Sequence, residues 1–233
     1  AGTVLGPEDA VRTGAGGRAR LVSGQTVIEV EPGTDLAVAE LSRDLARLLL
    51  GVGMVTADTQ EGAGAVAIEV DGTDVATRAE DGRYTVASDG KGTVAVGASR
   101  GEVEVSAKGK AVVLRGGEET LVPPGEAPQS PRPAARSLLL RVAWPEKGET
   151  NKRRLVLRGR TRAGALVFVA GRPVVADAGG RFRVPLELRE GPNRIDLRAK
   201  DVSGNEARPT TRRIVVDTRG AKAHFDTRDL WDD

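Results

Sequence analysis

The side chains that could do chemistry in this sequence are few and badly placed for it. His224 is the only histidine, and it stands beside Phe225, Asp226 and Asp229 near the C-terminus. A serine–histidine–aspartate relay needs a base held in one orientation, which a tail segment supplies poorly. Carboxylates recur as Glu29/Glu31 and Glu102/Glu104. Glycoside hydrolysis sets two carboxyl groups about 5–10 Å apart around a sugar, whereas residues i and i+2 of a strand share one outward face and read as solvated surface. Asp177-Ala178-Gly179-Gly180 and Asp201-Val202-Ser203-Gly204-Asn205 each place a carboxylate in a tight loop. Calcium takes six or more oxygens and these loops offer few, so they read as turns capped by Asp. Gly14-Ala15-Gly16-Gly17 and Gly90-Lys91-Gly92-Thr93 share only their glycines with phosphate loops, which need a fuller spacing and a following helix. The absence of cysteine removes thiol catalysis, cysteine-based zinc sites and disulfides. The expectation is a protein that is not an enzyme and that binds no metal and no organic cofactor.

Charge points to partners instead. Residues 1–127 hold 12 basic and 20 acidic side chains, a balance of −8, and residues 128–233 hold 23 and 13, a balance of +10. Either the two halves simply differ in composition, or, since opposite balances of this size steer association and register, they attract, within one chain or head-to-tail between chains. In the basic half Arg158, Arg160 and Arg162 alternate onto one strand face, which reads as solvated or anion-facing. Nucleic acid wants such a stripe together with stacking aromatics. Trp144, Phe168, Phe182, Phe225 and Trp231 are the only aromatics there, and Phe168 and Phe182 fit the sandwich core, so nucleic acid is not the expected partner. The candidate contact residues are Arg158, Arg160 and Arg162 with His224, Phe225, Leu230 and Trp231 of the tail. The expected partner is a protein or a second copy of the chain, with an anionic envelope polymer as a further class.

These residues must be carried by strands. Short apolar alternations of four to six residues end at glycine or Asp-Gly throughout residues 1–122, as in Thr26–Val30, Ala65–Val70 and Glu102–Val105, the signature of β-meanders, rolls and barrels. Leu41, Leu45, Leu48 and Leu49 stand at helical spacing, so pattern alone predicts a short helix over Glu40–Leu50. Residues 123–136, opening Pro-Pro-Gly-Glu-Ala-Pro, read as a semi-rigid linker. Residues 137–217 carry about seven more short strands, the count of a β-sandwich, and Trp144 is expected to plug the domain junction or cap the sandwich. Residues 218–233 break the alternation as an irregular tail. Apolar runs such as Leu48–Leu50 and Leu138–Leu140 fall far short of the ~20 residues of a membrane-spanning helix, and no stretch of the sequence approaches that length, so the chain is not expected to span a membrane. Its start at Ala1-Gly2 reads as a processed or trimmed N-terminus.

Two resemblances follow. The run Leu5-Gly6-Pro7-Glu8-Asp9-Ala10-Val11-Arg12-Thr13-Gly14, then Gln25–Thr34, then Gly101–Val105 through Gly116-Gly117-Glu118, resembles the FecR-type domain in three ordered motifs over about residues 2–125. Glu8 departs from the family's glycine, and the family's first strand is not seen. This resemblance implies an exported sensory or scaffold domain, and a strand where the leucines suggested a helix. Gly164–Gly171, Asp177–Phe182 and Ala199–Asn205 resemble bacterial immunoglobulin-like repeats, which implies a stalk, spacer or adhesive surface. Together they predict an all-β chain of the periplasm or cell exterior: a non-enzymatic envelope module acting as scaffold or sensor through protein contacts. A carbohydrate- or peptidoglycan-binding module is the alternative.

Overall fold

The computed structural model describes residues 2–145 and 148–218, and every regular element in them is a β-strand. The N-terminal half holds β1 (Ala10–Arg12), β2 (Ala19–Ser23), β3 (Thr26–Val30), β4 (Asp35–Leu41), β5 (Leu45–Thr59), β6 (Ala65–Val70), β7 (Ala76–Ala79), β8 (Gly82–Ser88), β9 (Val94–Ala107), β10 (Lys110–Arg115), β11 (Glu118–Val122) and β12 (Arg132–Pro133). Two long strands organise them. The first part of β5 pairs with β4 and, in parallel, with β6, while its second part pairs with β3 and β8. Likewise β9 pairs early with β8 and β11 and late with β7 and β10. Each strand changes layer at a glycine of positive φ, Gly53 (110°) and Gly101 (72°), a conformation that side chains with a Cβ rarely adopt. Two layers therefore share β5 and β9 and close over one core, with Tyr84, Leu36, Leu50, Ile68 and Leu114 fully buried.

The leucines of Glu40–Leu50 do not form a helix. They span the end of β4, a turn at Ser42–Asp44 and the start of β5, where Ser42 N–H donates to the Leu45 carbonyl at 2.9 Å. Alternation along β5 sends Leu48 and Leu50 into the core at 3% and 0% exposure, while Leu41 at the end of β4 is exposed.

The C-terminal half is a two-sheet sandwich. One sheet runs β13 (Arg141–Ala143), β15 (Arg154–Arg160), β18 (Arg181–Glu187), and the other β14 (Glu149–Thr150), β20 (Thr210–Val216), β19 (Gly191–Lys200), β16 (Leu166–Val169), β17 (Arg172–Val175). Their inner faces bury Leu157, Phe182, Leu186, Ile195, Leu197 and Ile214. Trp144 packs on the rim of this core, under the Arg212 guanidinium at 5.7 Å from its ring, so it caps the sandwich.

The proline-rich stretch between the two cores is hydrogen-bonded along its course. Gln129 N–H donates to the Leu121 carbonyl at 3.0 Å, Thr120 Oγ1 to the Gln129 carbonyl at 2.7 Å, and Ala134 N–H to the Gly117 carbonyl at 2.8 Å. With β12 laid antiparallel on β11, it is a strap and not a free spacer.

Candidate functional site

The outer face of β5, β8, β9 and β11 is built largely of small side chains. One cross-strand row reads Met54, Ala87, Ala95, Leu121 and the next reads Thr56, Thr85, Gly97, Glu119. Onto this floor the C-terminal half sets Leu166, Phe168, Val175 and Val202, forming a third apolar core. Small residues matter here because backbone meets backbone. A Cβ built on Gly97 would lie 2.6 Å from the Val202 carbonyl oxygen, and one on Gly164 would lie 2.2 Å from the Ala95 Cβ.

Ion pairs flank the apolar patch. Glu119, 3% exposed, accepts both bonds of a bidentate clasp from Arg162 Nη1 at 2.8 and 2.9 Å, one from Arg132 Nε at 3.1 Å and one from Ser203 Oγ at 2.9 Å. A carboxylate buried this far is tolerable because its oxygens are met by cationic and hydroxyl donors. On the other flank Glu31 accepts from Lys200 Nζ at 2.8 Å and from Arg18 Nε at 3.0 Å. Burial pushes the Glu31 carboxyl up, and the two cations outweigh it, holding the group below its ordinary value. The opposite charges of the two halves thus meet within one chain.

The arginines expected on one face separate. Arg158 and Arg160 lie on β15 pointing outward, whereas Arg162 lies beyond the strand end and turns into the junction to grip Glu119. The departure has a simple cause: alternation holds only while the strand lasts, and β15 ends at Arg160. Partners unseen in the sequence complete the outer face. Arg141, Arg160 and Arg181 sit directly opposite one another across β13, β15 and β18, and Arg158 sits opposite Arg183. All five are exposed, and none has an ion pair among the described residues. Gly159 runs between them over the Phe182 ring, where a Cβ would meet Phe182 Cζ at 2.3 Å. On the outer face the arginines wall a trough of about 410 Å³. It shares Arg141 and Arg160 with a cavity of about 700 Å³ beside the strap, lined also by Arg132, Arg162 and Leu139.

The remaining candidates have structural employment. Asp201, 1% exposed, accepts from Ser203 N–H and Asn205 N–H at 3.0 and 2.8 Å. Asp177 accepts from Gly179 N–H and Arg181 N–H at 2.9 and 2.8 Å. Glu29 and Glu31 line one pocket on the outer face but are not simply solvated: Glu29 binds Arg83, and Glu31, covered by the C-terminal half, binds Lys200. Glu102 and Glu104 do lie on exposed strand surface. No group of three or more metal-ligating side chains occurs among the described residues, and no helix there is long and apolar enough to cross a membrane. His224, Phe225, Leu230 and Trp231 lie outside the described residues.

No family model and no curated protein matches the chain. Among solved structures, two crystal structures of a candidate anti-sigma factor from Parabacteroides distasonis are similar at 15% and 14% identity, each with a TM-score of 0.46 and 54% of this chain covered. The chain spans 59% of the length of each. Fibronectin(III)-like modules of Clostridium thermocellum CbhA are similar at 12% identity and a TM-score of 0.29, over 78% of this chain and 94% of that one. At TM-scores below 0.5 these likenesses extend to no function, and the all-β fold stands on the strands themselves.

Proposed function

We propose that the chain is a non-enzymatic binding and assembly module of the cell envelope, working in the periplasm or outside the cell as a scaffold or sensor through contacts with other proteins. One observation carries this reading: the two β halves are locked by an apolar core flanked by buried ion pairs, so a partner held by one half is fixed in position relative to the other. The titratable groups that catalysis would draw on are spent on this architecture, Glu31 and Glu119 at the junction, Asp177 and Asp201 in their loops. Binding of neutral sugar by stacking finds no platform in the described residues, where Tyr84, Phe168 and Phe182 are buried and Trp144 lies half-buried under Arg212. Head-to-tail self-association is one form the scaffold can take.

The test compares the full chain with its separated halves, residues 1–136 and 137–233, by in-cell crosslinking in the envelope of the producing organism. The reading expects adducts with a defined protein, or with a second copy, that form only with the joined chain. Adducts formed equally well by either half alone, or none at all, refute it. Sedimentation of the full chain and of a chain lacking residues 222–233, at low and high salt, separates a second copy from a different protein.

A further inference from the structure

We propose that the arginine face of the C-terminal sandwich is a binding track for a linear anionic polysaccharide, held by charge and not by stacking. The first reason is thermodynamic. Like charges directly opposite on a sheet are destabilising, yet Arg141/Arg160, Arg160/Arg181 and Arg158/Arg183 are three such pairs. A local arrangement that works against folding, with no carboxylate in ion-pair contact with any of the five among the described residues, marks a site kept for a ligand.

The second reason is geometric. Neighbouring strands lie about 4.8 Å apart and alternate residues of one strand about 6.7 Å apart, so positive charge repeats in both directions over a surface a few sugar units long. The arginines wall a trough of about 410 Å³, with the β15 backbone at Gly159 on its floor, in which a chain can lie. Beyond the arginines the next row is Val156 with Pro185, uncharged, which ends the track.

The third reason is exclusion of other occupants. Single-stranded nucleic acid is bound by aromatics on which bases stack, and this face has none. A protein partner is anchored by aromatic or apolar residues in a central pocket, and the centre here is guanidinium. A second copy would have to offer a matching acidic ladder. About half of the acidic side chains of the N-terminal half already hold a cation where they stand, among them Asp35 with Arg12, Asp58 with Arg83 and Arg100, Glu29 with Arg83, Glu102 with Arg115 and Asp74 with Lys108, and those left are not arranged as such a ladder on one strand pair. The proposal does not depend on the scaffold reading, since it concerns a different surface.

The experiment measures binding of the full chain to dextran sulfate and to polygalacturonate, which separate sulfate from carboxylate chemistry. Neutral dextran, a thymidine oligonucleotide and polyglutamate are compared at equal charge. Five arginines neutralised against a flexible polyanion give a salt slope of about −3.5, a loss of roughly 100-fold in affinity from 50 to 200 mM salt. In Arg158→Ala/Arg160→Ala three charges remain, and the loss over the same range falls to roughly 20-fold, with weaker binding throughout. Arg189→Ala/Arg208→Ala removes the same charge from exposed sites off the face and is expected to bind as the parent does. The proposal is overturned if that control weakens binding as much as the face variant does. It is equally overturned if neither anionic glycan binds at 50 mM salt, or if the oligonucleotide or polyglutamate binds more tightly than both glycans.

Discussion

Replacing Gly97 by alanine should loosen the junction while leaving both cores intact. Gly97 lies in β9 with an ordinary extended backbone, so alanine brings no conformational strain. Its neighbours Val96 and Ala98 face the N-terminal core, whereas a methyl at position 97 faces only the C-terminal half. That methyl would lie 2.6 Å from the Val202 carbonyl oxygen and 3.1 Å from Val202 Cγ2, while ordinary contact begins at 3.4 Å. Relief requires the two halves to part by the difference, about 0.8 Å. A gap of that size forfeits about a quarter to a half of each dispersion contact across it, here those of Met54 and Leu121 with Leu166, Phe168 and Val175. Overpacking of this kind costs about 1–3 kcal/mol. For a chain of this length each kcal/mol lowers Tm by about 2–4 °C, so the expected fall is roughly 2–12 °C. Scanning calorimetry reads both the fall and its form: one transition in the parent, and a broadened or doubled transition in the variant as the halves uncouple. Gly16→Ala, with open space around the added methyl, is the control. A Gly97→Ala chain that melts as one sharp transition within 1 °C of the parent would refute the claim that the junction couples the halves.

Three further outcomes are expected. Glu119→Gln leaves Arg162 and Arg132 without their carboxylate and should cost about 3 kcal/mol by chemical denaturation, the low end for a broken buried pair because both arginines keep some solvent; a loss below 0.5 kcal/mol would show the clasp to be incidental. Glu31 is held below its ordinary carboxyl value of 4.5 in the fold, so its contribution is present above that value and is lost as pH falls through the folded one. Tm should therefore drop on acidification below about pH 4.5, and less steeply in Lys200→Met, which removes one of the cations responsible; identical pH profiles would refute the assignment. Tyr84 is the only tyrosine, and burial pushes its phenol far above the ordinary 10 while the hydroxyl donates to the Val66 carbonyl at 3.1 Å. Its contribution to stability is thus full below pH 10 and is lost progressively as pH rises from there through the folded value, and absorbance at 295 nm should show no tyrosinate until the chain unfolds; tyrosinate in a folded chain would contradict the burial.

The alternation of apolar and polar residues fixed a great deal without any coordinates. Period-two runs ending at glycine determine strands, and Arg181-Phe182-Arg183-Val184 shows on sight which side chains face water. The tight-loop aspartates were legible for the same local reason: a carboxylate two to four residues from the N–H groups it caps needs no distant partner. The second part of β5 was not legible, because Gly53–Ala57 is buried on both faces and shows no alternation. A trace of the junction was present in Leu166-Val167-Phe168-Val169, an unbroken apolar run of the kind a strand shows when both its faces are covered, but nothing local says what covers the second face. Tertiary structure alone decided what depends on register and long-range pairing. Arg141 and Arg181 are 40 positions apart and become neighbours only through β15. Glu119 meets Arg162 across 43 positions. Arg162 looked equivalent to Arg158 and Arg160 until the strand ended two residues before it. Side-chain direction is set residue by residue along a strand, whereas partners are set by which strands lie side by side, and a slip of one residue would turn every one of these arginines to the other face.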